Sequence, residues 1–301
     1  MNEEILSVLQ EELLYSVDEL PETDLDSLAY AIRIRIHGFE KGLVKGLYHD
    51  INVKTIQSFL SKTQTLINTY PDYPKDGDLI VETIGLLLGI LEIFPDREDI
   101  RDILDDFVED NGLQNVKARV IRINKINGGH KWDSFDDFIS NRHSIRNYKQ
   151  EKVPVDLIRN IVETAMKCPS ACNRQPCKVY YTDDFEKIKD LRPDPVISKD
   201  IYNFLIVTVN KSLFSNREVL QAWINGGIFL ESLILAIHSK GLGACLFQQL
   251  KHTSNYKKLK DLANIPDKED IVAVVGFGYI DDDCPVVETH RKDVEDILVR
   301  F

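Results

Sequence analysis

The sequence predicts an α+β protein: a domain with a central, mainly antiparallel sheet flanked by helices, preceded by an all-helical N-terminal region. Three observations predict it. Over residues 1–115 apolar side chains recur only at three- and four-residue spacing, with no strand-like alternation. After residue 176, short β-branched and aromatic runs alternate with helical patterns. Between the two, residues 138–177 place two compact polar motifs at the ends of one amphipathic segment.

The elements follow in order. Residues 1–20 carry Ile5, Leu6, Leu9, Leu13 and Leu14 at helical spacing, and Pro21 stops the run. A second helix spans Leu25 to Leu47, with Leu28, Ile32, Ile36, Phe39 and Leu43 on one face and Asp24 or Asp26 available as its cap. Residues 51–70 and 78–94 repeat the pattern; Pro71, Pro74 and Gly77 separate them, and Pro95 ends the second. A shorter helix, Arg97 to Val108, precedes Asn111-Gly112. Residues 116–134, with Gly128-Gly129, read as a connector, so the expected division is 1–115 helical extension, 116–134 connector and 135–301 second domain. In that domain Leu157, Ile158, Ile161, Val162, Ala165 and Met166 form a helix after Pro154. Lys178 to Thr182 is a strand, Phe185 to Leu191 a short helix, and the continuous apolar run Phe204 to Val209 a buried central strand. Leu220 to Ser239 is hydrophobic nearly all round, which places it in the middle of a structure. Gly241-Leu242-Gly243 ends it with residues free to take positive φ; Ala244 to Phe247, a helix over Tyr256 to Leu262 and a long strand Ile271 to Tyr279 complete the order.

Composition narrows the class. With 301 residues, 43% of them hydrophobic, the chain can bury a substantial core. A net charge of −12 argues against nucleic acid or an anionic membrane as partner, since both call for clustered Lys and Arg. No window has the length and apolarity of a membrane span. Of five cysteines, Cys168, Cys172 and Cys177 crowd one loop in a spacing that is not a zinc pattern, so no metal is expected. Reduced thiols in a cytoplasm are the plain reading, since no apolar signal segment opens the sequence.

Chemistry concentrates in the two polar motifs. Arg142-His143-Ser144-Ile145-Arg146 combines two guanidinium groups and a hydroxyl, a set suited to a phosphate. Pro169-Ser170-Ala171-Cys172-Asn173-Arg174-Gln175-Pro176 is a loop held between prolines and full of donors and acceptors, suited to the edge of a polar heterocycle. The plainer alternatives are a solvated face before a helix for the arginines and ordinary loop capping for Ser170, Asn173 and Gln175.

Taken together, Arg142-x-Ser144-x-Arg146, Pro154-x-x-x-Ile158, Pro169-Ser170-x-x-Asn173-x-Gln175-Pro176 and Gly241-Leu242-Gly243 resemble the nitroreductase family of flavin-dependent oxidoreductases over residues 135–301. The resemblance implies an FMN cofactor, electrons from NAD(P)H, an acceptor such as a nitroaromatic or quinone, and a homodimer whose site is shared between subunits. It implies that Arg142 and Ser144 hold the FMN phosphate with help from Arg291, that His143 between them is part of the cofactor site, and that Arg146 faces the N1/O2 edge of the ring. Pro169, Ser170, Ala171, Asn173 and Gln175 would contact the ribityl chain and ring of the partner's flavin, while Leu246, Phe247 and Gln248 pass the ring near N5. Two positions depart from the family pattern: Cys177 stands where an aromatic usually follows Gln-Pro, and Thr289 where a Lys is often found. A shorter element, His37-Gly38-Phe39-Glu40-Lys41-Gly42-Leu43, is similar to one in helical extensions of nitroreductase-like proteins of bacterial polysaccharide clusters; a polar contact on a solvated face is its other reading. Two further functions stay open, a flavin oxidase or dehydrogenase acting on a biosynthetic intermediate and a non-catalytic flavin-binding assembly module. No GxGxxG follows a strand, which argues against a Rossmann dehydrogenase.

Overall fold

A computed structural model describes residues 21, 24–44, 51–75, 77–113, 116–118, 120–122, 132–188, 201–214, 218, 220–247, 253–282, 284–287, 289 and 291–301. The chain divides into two compact units, Met1–Arg122 with Pro285–Phe301, and Ile123–Cys284. The helix expected within residues 1–20 lies outside the described residues.

The first unit contains helices α1 (Leu25–Val44), α2 (Val53–Thr69), α3 (Asp78–Ile93) and α4 (Glu98–Asp110). Each turns one apolar stripe inward, as the spacing predicts. Leu28, Ile32 and Ile36 of α1 meet Phe59 and Leu66 of α2, Ile80, Ile84 and Leu87 of α3, and Ile100 and Leu104 of α4 in one core. Phe39 stacks on Phe59 at 4.9 Å between ring centroids. Asn52 caps α2 by accepting from Lys54 N at 2.9 Å.

This unit also holds a feature that differs from the expected connector. Val120–Arg122 is a strand, β1, paired antiparallel with the last strand β6, Pro285–Val287, in the register Val120↔Val287. Residues 285–301 therefore group with the helices and not with the flavin-type domain expected over 135–301. A three-residue strand has too few positions to show alternation, and its partner is far away in sequence, so only pairing reveals it.

The second unit is built on a four-stranded sheet in the order β2-β3-β5-β4, formed by β2 (Cys177–Thr182), β3 (Asn203–Asn210), β4 (Leu242–Phe247) and β5 (Glu269–Tyr279). All three neighbouring pairs are antiparallel. Around it come helices α5 (Phe135–Ser140), α6 (Val155–Ala165), α7 (Phe185–Ile188), α8 (Gln221–His238) and α9 (Ser254–Leu262). Its core joins Ile158, Ile161 and Ala165 of α6 and Phe229, Leu233 and Ile237 of α8 to Leu205 and Val207 of β3 and Val275 and Phe277 of β5. The continuous apolar runs are the two central strands, because strands covered in apolar side chains on both faces have no reason to alternate.

Helix α8 corrects one expectation. Its composition is apolar all round, yet Leu220 before it and Ile224 and Ile228 within it are 45%, 51% and 37% exposed, a stripe at four-residue spacing. Gly241 takes φ +71 after the helix, but Gly243 does not need positive φ. Among the described residues, no helix is long and apolar enough to cross a membrane, and no cluster of three or more His, Cys, Asp or Glu side chains is placed to hold a metal.

Candidate functional site

The segment from Arg142 to Lys149 is laid along the sheet by backbone bonds. Ser144 forms a parallel bridge with Ala244 of β4, and Ile145 N donates to Ala244 O at 2.9 Å. Further along, Tyr148 bridges Ile280 and Lys149 N donates to Tyr279 O at 2.9 Å. The Tyr148 hydroxyl donates to Ile145 O and lies 3.1 Å from Gly276 O. Burial raises its phenol pKa well above the ordinary value, so it stays a donor.

The close approach explains Gly243. A Cβ at that position would lie 2.6 Å from Ile145 Cβ, closer than carbon atoms pack. Gly243→Ala is expected to push the Ser144-Ile145 segment off β4 and to destabilise the unit by about 1–3 kcal/mol, the scale of overpacking. Urea denaturation measures this; an unchanged midpoint would refute the packing role.

Along this segment Arg142 and His143 are half-buried, Ser144 is exposed, and Arg146 is buried, with 8% of its surface exposed. The Arg146 guanidinium gives Nη1 to Ser144 O at a long 3.3 Å. Its Nε is buried with no hydrogen-bond partner among the described residues. A buried cationic donor without an acceptor is costly unless a ligand supplies one, so this residue fits an electron-rich or anionic ring edge.

The loop between α6 and β2 is fixed differently. Ala171 N donates to Asn225 Oδ1 of α8 at 2.8 Å, and Ser170 Oγ accepts from Gln175 N at 3.0 Å. Arg174 pairs with Glu218 at 2.8 Å and lies 5.1 Å from the centre of the Phe214 ring. Cys172, Asn173 and Gln175 take φ of 51, 52 and 47, left-handed values that cost non-glycine residues about 1–2 kcal/mol each. Such strain persists only where surrounding bonds hold it, as those of Asn225, Ser170 and Glu218 do here. Pro169, Asn173 and Gln175 are exposed, Ser170 and Ala171 half-buried.

With this geometry in place, the comparisons decide the family. The nitroreductase family model matches residues 139–202 and 205–279. A protein of Methanothermobacter thermautotrophicus named "Putative NADH dehydrogenase/NAD(P)H nitroreductase" is 30% identical over 145 residues, covering 47% of this chain and 74% of that one. The chain belongs to the nitroreductase family. An iodotyrosine deiodinase of Haliscomenobacter hydrossis is 26% identical over 54% of this chain and 87% of its own length. The solved FMN-dependent nitroreductase of Clostridium difficile R20291 is similar at a TM-score of 0.45 and 21% identity, over 55% of this chain and 96% of that one.

Within the nitroreductase unit, Leu246 is 41% exposed on β4 and Phe247 is buried beside it; Gln248 lies outside the described residues. Arg291 belongs to the other unit, exposed, with Nη1 donating to Thr289 O at 3.1 Å. Cys177, where the family pattern has an aromatic, lines a cavity of about 270 Å³ together with Val162, Met166, Phe229 and both ends of the strained loop. Burial lifts its thiol pKa to about 12, so it is an inert wall and not a nucleophile.

Two residues of the site carry no motif. Asn225, which holds Ala171 N, is 2% exposed and has its Nδ2 on Gln221 O at 2.6 Å. Its signal is a lone polar side chain within the stretch from Ala222 to Leu230 of α8. His238, at the end of α8, is 6% exposed and has Nε2 3.1 Å from Phe138 O. Burial pulls its imidazole down to about 4, with the charges of Arg142 and His143 adding to the effect. Above about pH 6.5 it is neutral folded or unfolded; as pH falls toward 4 only the unfolded chain takes up the proton. Stability should therefore fall by about 3 kcal/mol over that range. Thermal melts of wild type and His238→Gln between pH 7 and pH 4 test this: the difference in slope should vanish if His238 is not the group.

Proposed function

We propose that this chain is a homodimeric FMN-dependent oxidoreductase that takes hydride from NAD(P)H and delivers electrons to a small acceptor such as a nitroaromatic or quinone. The observation that carries the reading is the buried Arg146 guanidinium, whose Nε meets no acceptor among the described residues, on a segment bonded to β4. When bound, FMN supplies a two-electron centre whose N1 edge gains negative charge on reduction.

The chain's own residues have separable tasks. Arg142, His143 and Ser144 neutralise and orient the phosphate. Arg146 holds a fixed positive charge against the N1/O2 edge, favouring the reduced ring over the oxidised one. Being buried, it acts with little screening from water. Leu246 offers apolar surface beside the ring, and Ser170, Asn173 and Gln175 offer hydrogen bonds to the ribityl chain and ring edge of the partner's flavin. No side chain needs to transfer a proton in the hydride step, which asks for stacking distance and orientation.

Two features support the homodimer. The stripe Leu220, Ile224 and Ile228 is apolar surface that a monomer leaves in water. The strained loop presents Asn173 and Gln175 outward. All five cysteines are free thiols, which suits a reducing cytoplasm. Two relatives are named for aromatic compounds, a 4-nitrobenzoate reductase and an iodotyrosine deiodinase, which supports an aromatic acceptor.

The test is direct. Protein reconstituted with flavin should be yellow, release FMN on denaturation, run as a dimer in light scattering, and bleach with NADH or NADPH without oxygen. Release of FAD, or failure to retain flavin, rejects the cofactor. Retained FMN that neither nucleotide bleaches transfers the reading to an oxidase acting on another donor.

A further inference from the structure

We propose that His238 is the positioning residue of the phosphate subsite: by its bond to Phe138 O it fixes the short helix α5, and with it the point at which Arg142 is presented. The proposal rests on the reading that Arg142 meets the flavin phosphate.

Helix α5 cannot hold its own place. It has six residues, none of them buried, and a helix of that length is not stable alone. Its own bonds span little more than one turn: Phe138 N donates to Ser134 O and Asn141 N to Asp137 O, each at 3.1 Å, with caps in which Ser134 Oγ accepts from Asp137 N at 3.0 Å and Asn141 Nδ2 donates to Asp137 O at 2.8 Å. An aromatic clamp ties it to the unit. The His238 ring lies 4.7 Å from the Trp132 ring and 4.8 Å from the Phe138 ring, and Trp132 meets Phe138 edge-on at 5.5 Å.

The polar bond in that clamp is specific. A regular helix would have Phe138 O accept from the nitrogen four residues on, which is Arg142 N. Arg142 N instead donates to Ile139 O at 3.2 Å, leaving Phe138 O as one of the orphan carbonyls of a helix end. His238 Nε2, 3.1 Å away, satisfies it. A carbonyl only accepts, so Nε2 carries the hydrogen, and the neutral ring keeps that bond through the physiological range.

Arg142 is thus held between two anchors. Upstream is Phe138 O on His238; downstream is Ile145 N on Ala244 O at 2.9 Å. Arg146 lies beyond the downstream anchor and does not depend on the upstream one. Loss of His238 should therefore loosen the phosphate contact and leave the ring-edge contact intact. A residue that only stabilised the fold would affect both.

The experiment compares FMN with riboflavin, which lacks the phosphate, by fluorescence titration. Wild type should prefer FMN. His238→Leu should weaken FMN binding at least tenfold while riboflavin affinity changes less than twofold and the bound flavin's potential does not shift. His238→Gln, whose amide can donate to Phe138 O, should recover most of the loss. Adding Arg142→Ala to His238→Leu should cost less than twofold more. If His238→Leu does not fold, Trp132→Leu opens the same clamp from its other side and carries the same comparison. A wild type that binds neither flavin overturns the functional reading itself. A wild type that prefers FMN, with variants that keep that preference or lose both flavins in parallel, overturns this inference alone.

Discussion

Arg142→Ala is expected to weaken FMN binding by about 1.5–3 kcal/mol, roughly a ten- to hundred-and-fifty-fold rise in Kd, the scale of a lost charge-assisted bond. Arg146→Ala, four residues on, should behave differently. Its guanidinium is buried, with Nε facing no acceptor among the described residues. Its removal relieves an uncompensated buried donor in the free protein and takes away positive charge from the ring edge in the complex. The expected result is a lower flavin reduction potential with a smaller loss of affinity. Titration with FMN gives the affinities, and equilibration with a redox dye gives the potentials. Equal shifts in potential for the two variants would sink the division of labour.

Glu269→Ala is expected to cost about 1–3 kcal/mol of stability, the scale for leaving buried hydrogen-bonding groups without their partner. The Glu269 carboxylate is fully buried at the start of β5 and accepts from Lys178 Nζ at 2.9 Å, Tyr180 OH at 2.8 Å and Thr208 Oγ1 at 2.8 Å. These donors come from β2 and β3, so one side chain holds three strands together beside the bulge at Val207/Thr208. Truncation leaves the buried Thr208 hydroxyl and the half-buried Tyr180 hydroxyl without their acceptor, while the exposed Lys178 ammonium turns to water.

The pH dependence follows from the same bonds. Burial pushes the Glu269 pKa up, but the hydrogen bonds from Lys178, Thr208 and Tyr180 outweigh it and hold the carboxyl below its usual value. A depressed carboxylate adds stability that is complete above its unfolded pKa and lost as pH falls through the folded one. The gap between wild type and Glu269→Ala in urea should thus be widest near pH 7 and shrink below about pH 4. A gap independent of pH would show that the carboxylate charge is not what matters.

Much of the fold was legible because its signals are local. The helices from Leu25 to Asp110 follow from three- and four-residue spacing and from prolines at their ends. Strands β3 and β5 follow from continuous β-branched runs. The candidate site is proposed from motifs, since arginine, serine, asparagine and glutamine at fixed offsets state what they can bind.

Other features depend on chain segments meeting, and no single segment carries them. Strand β1 exists because Val120–Arg122 finds Pro285–Val287. The exposure of Ile224 and Ile228 is a property of what covers α8, which its apolar composition leaves undetermined. Gly243 matters for the space Ile145 occupies, where its motif pointed to backbone freedom.

The sequence by itself determined the helical region, the sheet's central strands, the family and the residue types of the candidate site, because periodicity and motif spacing are written within short stretches. Only the tertiary structure decided that Arg146 is buried with its Nε unmet among the described residues, that His238 satisfies the end of α5, and that Asn225 holds the strained loop. Burial and hydrogen-bond partnership depend on atoms that come together only when distant segments pack, and it is packing that turns a polar side chain into a site.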